Sequence, residues 1–487
     1  MADCPFNSAS ETIADFIYRN GSQQQFPGNS EDIPCMDFVS TDFSIIYTPL
    51  DTVEPISLSK FTYYSIPGLY TLLDSSSMDA SGILATHASP ALSNQGRGVI
   101  IGIIDTGIDY TNPLFRNQDG TTRILSIWDQ SLPEDKSLLP AGVPNRYNAS
   151  GASYGTEYTQ EQINEALESD NPFAVVPSTD TNGHGTFLAG IAAGGILPNQ
   201  DFTGAAPECE LVIVKLKPAK QYLRDFYLIS NDADAYQEND IMMGIKYLRV
   251  EAYSQRKPLV ILLGIGSNLG SHEGTSPLNV MIQDISRYLG MATVIAAGNE
   301  TGRGHHYMGS VPIGEESVEV EIRVGNAESQ RGFVVELWAD TADTYSVGFV
   351  SPSGESIGRI PIIGRNETSI PFLLEPTVIT VNYQLIETGA GKQLVFIRFE
   401  APTNGIWRIR VYNTQYLTGQ FNMWLPAHTL ISDETVFLTP SPYTTITLPG
   451  DSPSPITVGA YNHLNNSIYI HSGRGLSLIH ISEPTRP

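Results

Sequence analysis

The sequence has little cysteine, little positive charge and no long apolar run. Only three cysteines, Cys4, Cys35 and Cys209, occur in 487 residues. An odd, widely spaced set indicates neither a disulfide framework nor a zinc site. Lysine and arginine number 27 against 52 aspartates and glutamates, a formal charge of −25. Such a balance argues against nucleic acid or an anionic membrane as partner. No apolar segment approaches the roughly 18 residues of a membrane span. The N-terminus, Met1-Ala-Asp-Cys-Pro-Phe-Asn-Ser8, lacks the basic and apolar regions of a signal peptide, so an intracellular location is expected.

What is present is a globular composition. Hydrophobic residues make up 41% of the chain, and 43 glycines with 32 prolines mark many tight turns. The length allows about two to four domains. Residues 1–90 read as a small N-terminal segment, either a plain arm or a pro-region. Within it, Ile13, Phe16 and Ile17 stand at helical spacing in the stretch 10–18. Residues 36–47 alternate loosely like a strand. Ser65-Ile-Pro-Gly-Leu-Tyr-Thr-Leu-Leu73 is an apolar patch suited to docking on something larger.

Residues 91–305 alternate short Val/Ile/Leu runs (99–104, 211–216, 259–263, 293–296) with helix-like stretches (160–168, 185–193, 240–253, 277–289). That pattern predicts a parallel sheet wound by right-handed crossovers. Apart from 160–168, residues 132–177 read as an extended polar connection. Across 306–430 the period falls to two, with strands expected at 318–324, 333–338, 345–350, 378–385, 394–399, 406–411 and 421–425. Turn signals such as Ser353-Gly354 and Asn404-Gly405 separate them, and a β-sandwich or jelly roll is expected. Residues 431–475 return to the earlier style, with a strand at 456–461. The fold class expected is therefore α/β, with an all-β domain inserted at 306–430.

The stretch Gly98-Val-Ile-Ile-Gly-Ile-Ile-Asp105-Thr-Gly107 organises the α/β part. A buried strand ending in a carboxylate places Asp105 where open parallel sheets hold their ligands and chemistry. Alone, Asp105 could equally cap the next turn. A second motif, Asp180-Thr-Asn-Gly-His184-Gly-Thr186, puts an imidazole between two glycines at the start of a small-residue helix. An aspartate and a histidine at special turns are two members of a Ser/His/Asp constellation. The rival reading is a metal site, for which the sequence offers only Glu273 beside His272 and the pair His305-His306, without ligand spacing; no metal or other cofactor is expected. A third motif, Val294-Ile-Ala-Ala-Gly-Asn299-Glu300, ends a strand with an amide. Asn299 could donate to a developing oxyanion, or it could be a left-handed turn residue after Gly298.

Asp105 in Ile-Ile-Asp-Thr-Gly, His184 in Asn-Gly-His-Gly-Thr and Asn299 in Ala-Ala-Gly-Asn resemble, in chain order, the motifs of the subtilisin-like serine proteases (subtilases). Ala14-Asp-Phe-Ile, Ser65-Ile-Pro, Trp128-Asp-Gln, Ser271-His-Glu-Gly and Gly304-His-His-Tyr are similar to the clostridial germination-protease branch. That branch also carries a jelly-roll insertion near this position and a short pro-region. The resemblance extends to about Gly475. It implies endopeptidase action on a protein or peptide substrate, in some members activation of a cortex-lytic enzyme precursor, and a cytoplasmic or spore-associated location. It further implies substrate laid as an added strand along Leu263-Gly264-Ile265-Gly266 and self-cleavage near 85–93.

Two departures stand out. The family usually has serine where Gly264 stands. Its nucleophile motif, Gly-Thr-Ser at a helix start, is expected after Asn299 and is not found there. The Gly274-Thr275-Ser276 that does occur precedes Asn299, and Ser276 before Pro277 reads as a helix N-cap. The tail 476–487 resembles a translated adapter or assembly junction, so the chain reads as a truncated subtilase, inactive for want of a nucleophile. Three readings follow: an active parent endopeptidase, a pseudoprotease that binds or senses, and a sandwich that acts as a separate carbohydrate- or protein-binding module. For the last, Trp338, Trp407 and Trp424 read as core residues.

Overall fold

A computed structural model describes residues 7–21, 35–73, 95–133, 154–197, 202–364, 366–462 and 467–475. At the N-terminus, β1 (Ile13–Arg19), β2 (Cys35–Phe38) and β3 (Phe43–Pro49) form an antiparallel sheet in the order β1-β3-β2. The helix expected at 10–18 is therefore a strand. Ile13 and Ile17 enter one apolar cluster while Ala14 and Phe16 enter another. A strand buried on both faces satisfies the same apolar spacing as one face of a helix. Cys35 is disulfide-bonded, a link the sequence did not lead us to expect, and Cys209 is a free buried thiol.

After β4 (Leu69–Leu72) the chain builds its main sheet. The strands in chain order are β5 (Ile100–Asp105), β6 (Ile124–Asp129), β7 (Thr156–Thr159), β8 (Glu210–Lys215), β9 (Tyr236–Gln237), β10 (Leu259–Leu263), β11 (Ile265–Gly266) and β12 (Met291–Ala296). Seven strands make the central sheet, in the order Ile456–Val458, β12, β10, β5, β8, β6, β7. All neighbours are parallel except β6 and β7. Helices Gln160–Glu168, His184–Ala193, Glu238–Gln255 and Pro277–Ile285 connect and cover the strands. Every residue of β5 is buried, as an unbroken Val/Ile run requires in a sheet covered on both faces. Strand β6 is not among the strands expected, and β7 falls in the stretch 132–177 read as a polar connection. Among the described residues no helix is long and apolar enough to cross a membrane.

The chain leaves the central sheet after β12 and rejoins it at Ile456–Val458, which pairs parallel with β12. Between these points six strands, from His306–Ser310 to Glu367–Pro371 at the edges, face a five-stranded sheet. One of the latter, Val436–Phe437, lies beyond the boundary expected at 430. Phe333, Val335 and Leu337 point into the core between the sheets, whereas Val334 and Trp338 point out of it, into a cluster with Leu58, Tyr63, Leu223 and Phe226. Trp338, Trp407 and Trp424 are all buried. The sandwich therefore has one sheet covered on both faces and is not a module hung on a linker.

The N-terminal sheet is tied down by charge. Lys220 and Asp15, each 1% exposed, pair at 2.6 Å. The ammonium also donates to the carbonyls of Ser8 (2.6 Å) and Ile13 (2.9 Å), and Asp15 Oδ2 accepts from Gln237 Nε2 at 2.8 Å. Asp15→Ala leaves that ammonium buried without a counter-charge, which is expected to cost about 3–5 kcal/mol. A lowered urea midpoint at neutral pH checks this, and an unchanged midpoint contradicts it.

Candidate active site

Asp105 closes β5 with its side chain fully buried, and His184 opens the helix packed against the end of that strand. Their closeness depends on a missing side chain. A Cβ on Gly185 would fall 2.2 Å from Gly107 O and 3.2 Å from Asp105 Cβ, so only glycine lets the helix start sit on the strand end. Asp180 then braces the turn. Its Oδ1 accepts from Thr106 Oγ1 and Gly183 N, both at 2.8 Å, and its Oδ2 from Thr186 N (2.8 Å) and Thr186 Oγ1 (2.6 Å). Thr106 Oγ1 in turn accepts from Gly185 N at 2.9 Å. Burial acts to raise the Asp180 pKa, but these bonds, those of Thr186 foremost, bring it below the usual aspartate range. The motif began with Asp180, yet nothing in the sequence assigned it this role.

Within that frame His184 Nδ1 donates to Asp105 Oδ1 at 2.8 Å, and Thr106 N donates to the same oxygen at 2.7 Å. Asp105 Oδ2 has no hydrogen-bond partner among the described residues. The other ring nitrogen, Nε2, donates to the carbonyl of Leu73 at 2.7 Å. Both nitrogens thus carry protons in this arrangement. Burial, the largest influence, pushes the imidazole pKa down, but the hydrogen bond and charge of Asp105, with the Leu73 carbonyl, lift it above its ordinary value.

The four residues expected to receive a substrate strand are already paired. Leu73 N donates to Gly264 O at 2.7 Å, and β4 runs antiparallel to β11 with Leu72 opposite Ile265 and Thr71 opposite Gly266. Leu263 ends β10 beside β5. A strand of the chain's own N-terminal region therefore lies where an external one was expected, with its last carbonyl on His184. Gly264 has its own steric cause, since a Cβ there would meet Leu188 Cδ1 at 2.4 Å and His184 Cε1 at 3.2 Å. Leu188 fills the space that a serine side chain would need.

Asn299 follows β12 at the same end of the sheet and is partly exposed. Its neighbour Glu300 is buried and anchors the loop, accepting from Asn268 Nδ2 (2.8 Å), His305 Nδ1 (2.9 Å) and His428 N (2.9 Å). Of the other residues weighed as metal ligands, Glu273 pairs with Lys392 and His306 stacks on Trp424 with ring centres 4.8 Å apart. His272 also stacks on Trp424, at 4.2 Å, its nitrogens facing the carbonyls of Asn268 and Ile446. Ser276 caps the helix Pro277–Ile285, its Oγ accepting from Asn279 N at 3.2 Å. The pocket under Leu73 also contains Thr447, which the sequence did not single out. The proposed self-cleavage stretch 85–93 and the tail 476–487 lie outside the described residues.

The hold of β4 on the cleft is expected to depend on pH. His184 in the folded state has its pKa above the free value of about 6.5. The Leu73 carbonyl contributes to that rise, so the protonated ring favours the docked strand, and this favour is lost as pH rises through the raised value. Hydrogen exchange of the Leu73 amide, corrected for its intrinsic pH dependence, should show protection falling across that window. His184→Gln should abolish the step; a step that persists in this variant would assign it elsewhere.

The family model for the subtilase family matches residues 96–353. Among solved structures, the Clostridium perfringens CspB protease is similar with a TM-score of 0.69 and 30% identity, over 82% of this chain and 75% of that one. Among curated relatives, Subtilisin-like protease SBT3.10 of Arabidopsis thaliana is 30% identical over 138 residues, 28% of this chain and 18% of its own length. The PII-type proteinase of Lacticaseibacillus paracasei is 24% identical over 266 residues, 54% of this chain and 12% of its own length. The matches thus span less than a fifth of these curated relatives. With a parallel sheet bearing an aspartate and a histidine in contact at its carboxyl edge, and with more than half of its length matched by the family model, the chain belongs to the subtilase family.

Proposed function

We propose that the protein acts as a serine endopeptidase on protein substrates, with Asp105 and His184 as two members of its triad. Asp105 holds the Nδ1 proton and thereby fixes the tautomer. Nε2 then takes the proton of the serine nucleophile and passes it to the leaving amine. Asn299 donates its amide to the oxyanion that forms on the attacked carbonyl. Substrate pairs with β11 as β4 does, main chain to main chain. One observation carries this reading: Leu73 donates its N–H to Gly264 O while its carbonyl sits 2.7 Å from His184 Nε2. A protonated Nε2 on that carbonyl is the arrangement expected once the bond has been cut, with the carbonyl end of the retained strand resting on the histidine, so the bond after Leu73 is the one we propose the enzyme opens in its own N-terminal segment. The motifs shared with the germination branch support activation of a precursor enzyme during spore germination as the biological setting.

A second reading, a binding partner without catalysis, draws on the sequence itself. The 487 residues contain one Gly-Thr-Ser, and its serine caps a helix. We therefore propose that this chain, as it stands, forms no acyl-enzyme. A fluorophosphonate probe separates the readings. Any longer product that supplies a serine beside His184 is expected to be labelled there, and the 487-residue chain is not. In the labelled protein, His184→Ala should reduce kcat by roughly 10⁶-fold and Asn299→Ala by roughly 10²–10³-fold. Absence of labelling in every form of the protein would leave the binding partner as the surviving reading.

A further inference from the structure

We propose that the pocket holding the Leu73 side chain is built for a side chain ending in an uncharged amide, glutamine above all, and that Thr447 selects it. The proposal rests on the reading of Leu69–Leu73 as a substrate-like strand, and it names what that site prefers.

Leu73 is 1% exposed, yet it joins none of the four apolar clusters formed by the described residues. Its pocket is walled by main chain. A Cβ on Gly266 would fall 2.4 Å from Thr447 Oγ1 and 2.9 Å from Leu73 Cδ1, and a Cβ on Gly298 would fall 2.6 Å from the same hydroxyl. The Thr447 hydroxyl therefore stands between two glycine walls, close to the end of the leucine. Thr447 is fully buried, its N–H is spent on Ala297 O at 3.2 Å, and its Oγ1 has no hydrogen-bond partner among the described residues.

A buried hydroxyl without a partner is costly, and leucine cannot relieve it. Leu73 Cδ1 and Thr447 Oγ1 are about 5 Å apart or less, so a side chain one atom longer brings its end within hydrogen-bond reach of the hydroxyl. Glutamine is one atom longer than leucine and ends in a flat group that both donates and accepts. A hydroxyl can meet either end of it. Methionine has the reach but leaves the hydroxyl unpaired. Glutamate would have to give up its water for a single hydroxyl, which an ionised carboxylate does not do cheaply.

The test uses the full chain and needs no turnover. Leu73→Gln, Leu73→Met and Leu73→Glu are made with Thr447 present and with the near-isosteric Thr447→Val. Exchange protection of the residue 73 amide, which donates to Gly264 O, is the readout, and protection of β5 amides serves as the control for folding. Leu73→Gln is expected to exceed Leu73→Met by about five- to tenfold, the worth of one buried hydrogen bond. With Thr447→Val that advantage should vanish, and Leu73→Glu should be the least protected. An advantage of equal size in both backgrounds, or none with Thr447 present, overturns the proposal. Because the exchange reads docking alone, the amide preference is decided whether or not any peptide bond is cut. Absence of protection at residue 73 in the unaltered chain would instead remove the substrate-like reading and this proposal with it.

Discussion

The contact on which the rest of the site depends is the hydrogen bond between a carboxylate with no exposure and a half-buried imidazole. Asp105 spends one oxygen on two donors and leaves the other unpartnered. Its charge is therefore compensated mainly by the proton it keeps on His184. That arrangement is stable only if the ring cannot swing away. The sheet alone cannot ensure this, because it fixes the end of β5 but not the start of the following helix. The bonds of Asp180 to Thr106, Gly183 and Thr186 do so, and Gly185 allows the two elements to approach. Strand, turn and helix are thus locked by groups that take no part in the chemistry.

The inserted sandwich extends the same principle to the walls of the cleft. Glu336 on strand Gly332–Ala339 accepts from Tyr63 OH (2.7 Å), Trp338 Nε1 (2.9 Å) and Gly270 N (2.9 Å). Burial pushes its carboxyl up to about 7. One side chain of the insertion therefore holds both the N-terminal region and the loop after β11. Trp424 does the equivalent with rings, stacking with both His272 of that loop and His306 of the insertion. Burial pushes the pKa of both imidazoles down, to about 4. Glu300 joins the loop of Asn299 to His305 and His428. A block of strands that reads in sequence as a detour is, in physical terms, part of the frame of the pocket.

Much of this was legible before the coordinates, and the failures are informative. The runs at 99–104 and 259–263 announced buried parallel strands because short apolar runs of that length, rich in Val, Ile and Leu and alternating with helix-like stretches, suit a sheet covered on both faces. Asp105 and His184 stood out because each interrupts such a pattern at a turn. The stretch 10–18 misled because a strand packed on both faces has no period of two to detect. The linkage of Glu336 to Tyr63 and Gly270 could not be read, since its partners lie 66 and 273 residues away and a lone glutamate in a strand ordinarily faces water. Thr447 was invisible for the same reason. Its meaning comes from Gly266 and Gly298, and no local pattern brings those three together.

The docked strand finally bears on how a substrate could enter. β4 is not an edge strand. It pairs with β11 on one side and with β9 on the other, where Leu69 faces Gln237 and Tyr70 faces Tyr236. Glu238 adds to its hold, accepting from Gly68 N at 3.3 Å while its own N–H donates to Gly68 O at 2.9 Å. A strand covalently joined to its site competes as an intramolecular partner, at an effective concentration that a diffusing peptide does not share. An incoming peptide must therefore displace two ladders and the His184 bond together, against a competitor that does not diffuse away. Cutting the chain after Leu73 would remove the tether without removing any of those bonds. Opening of the cleft is then set by release of β4 from its two neighbours and not by the chemistry at His184.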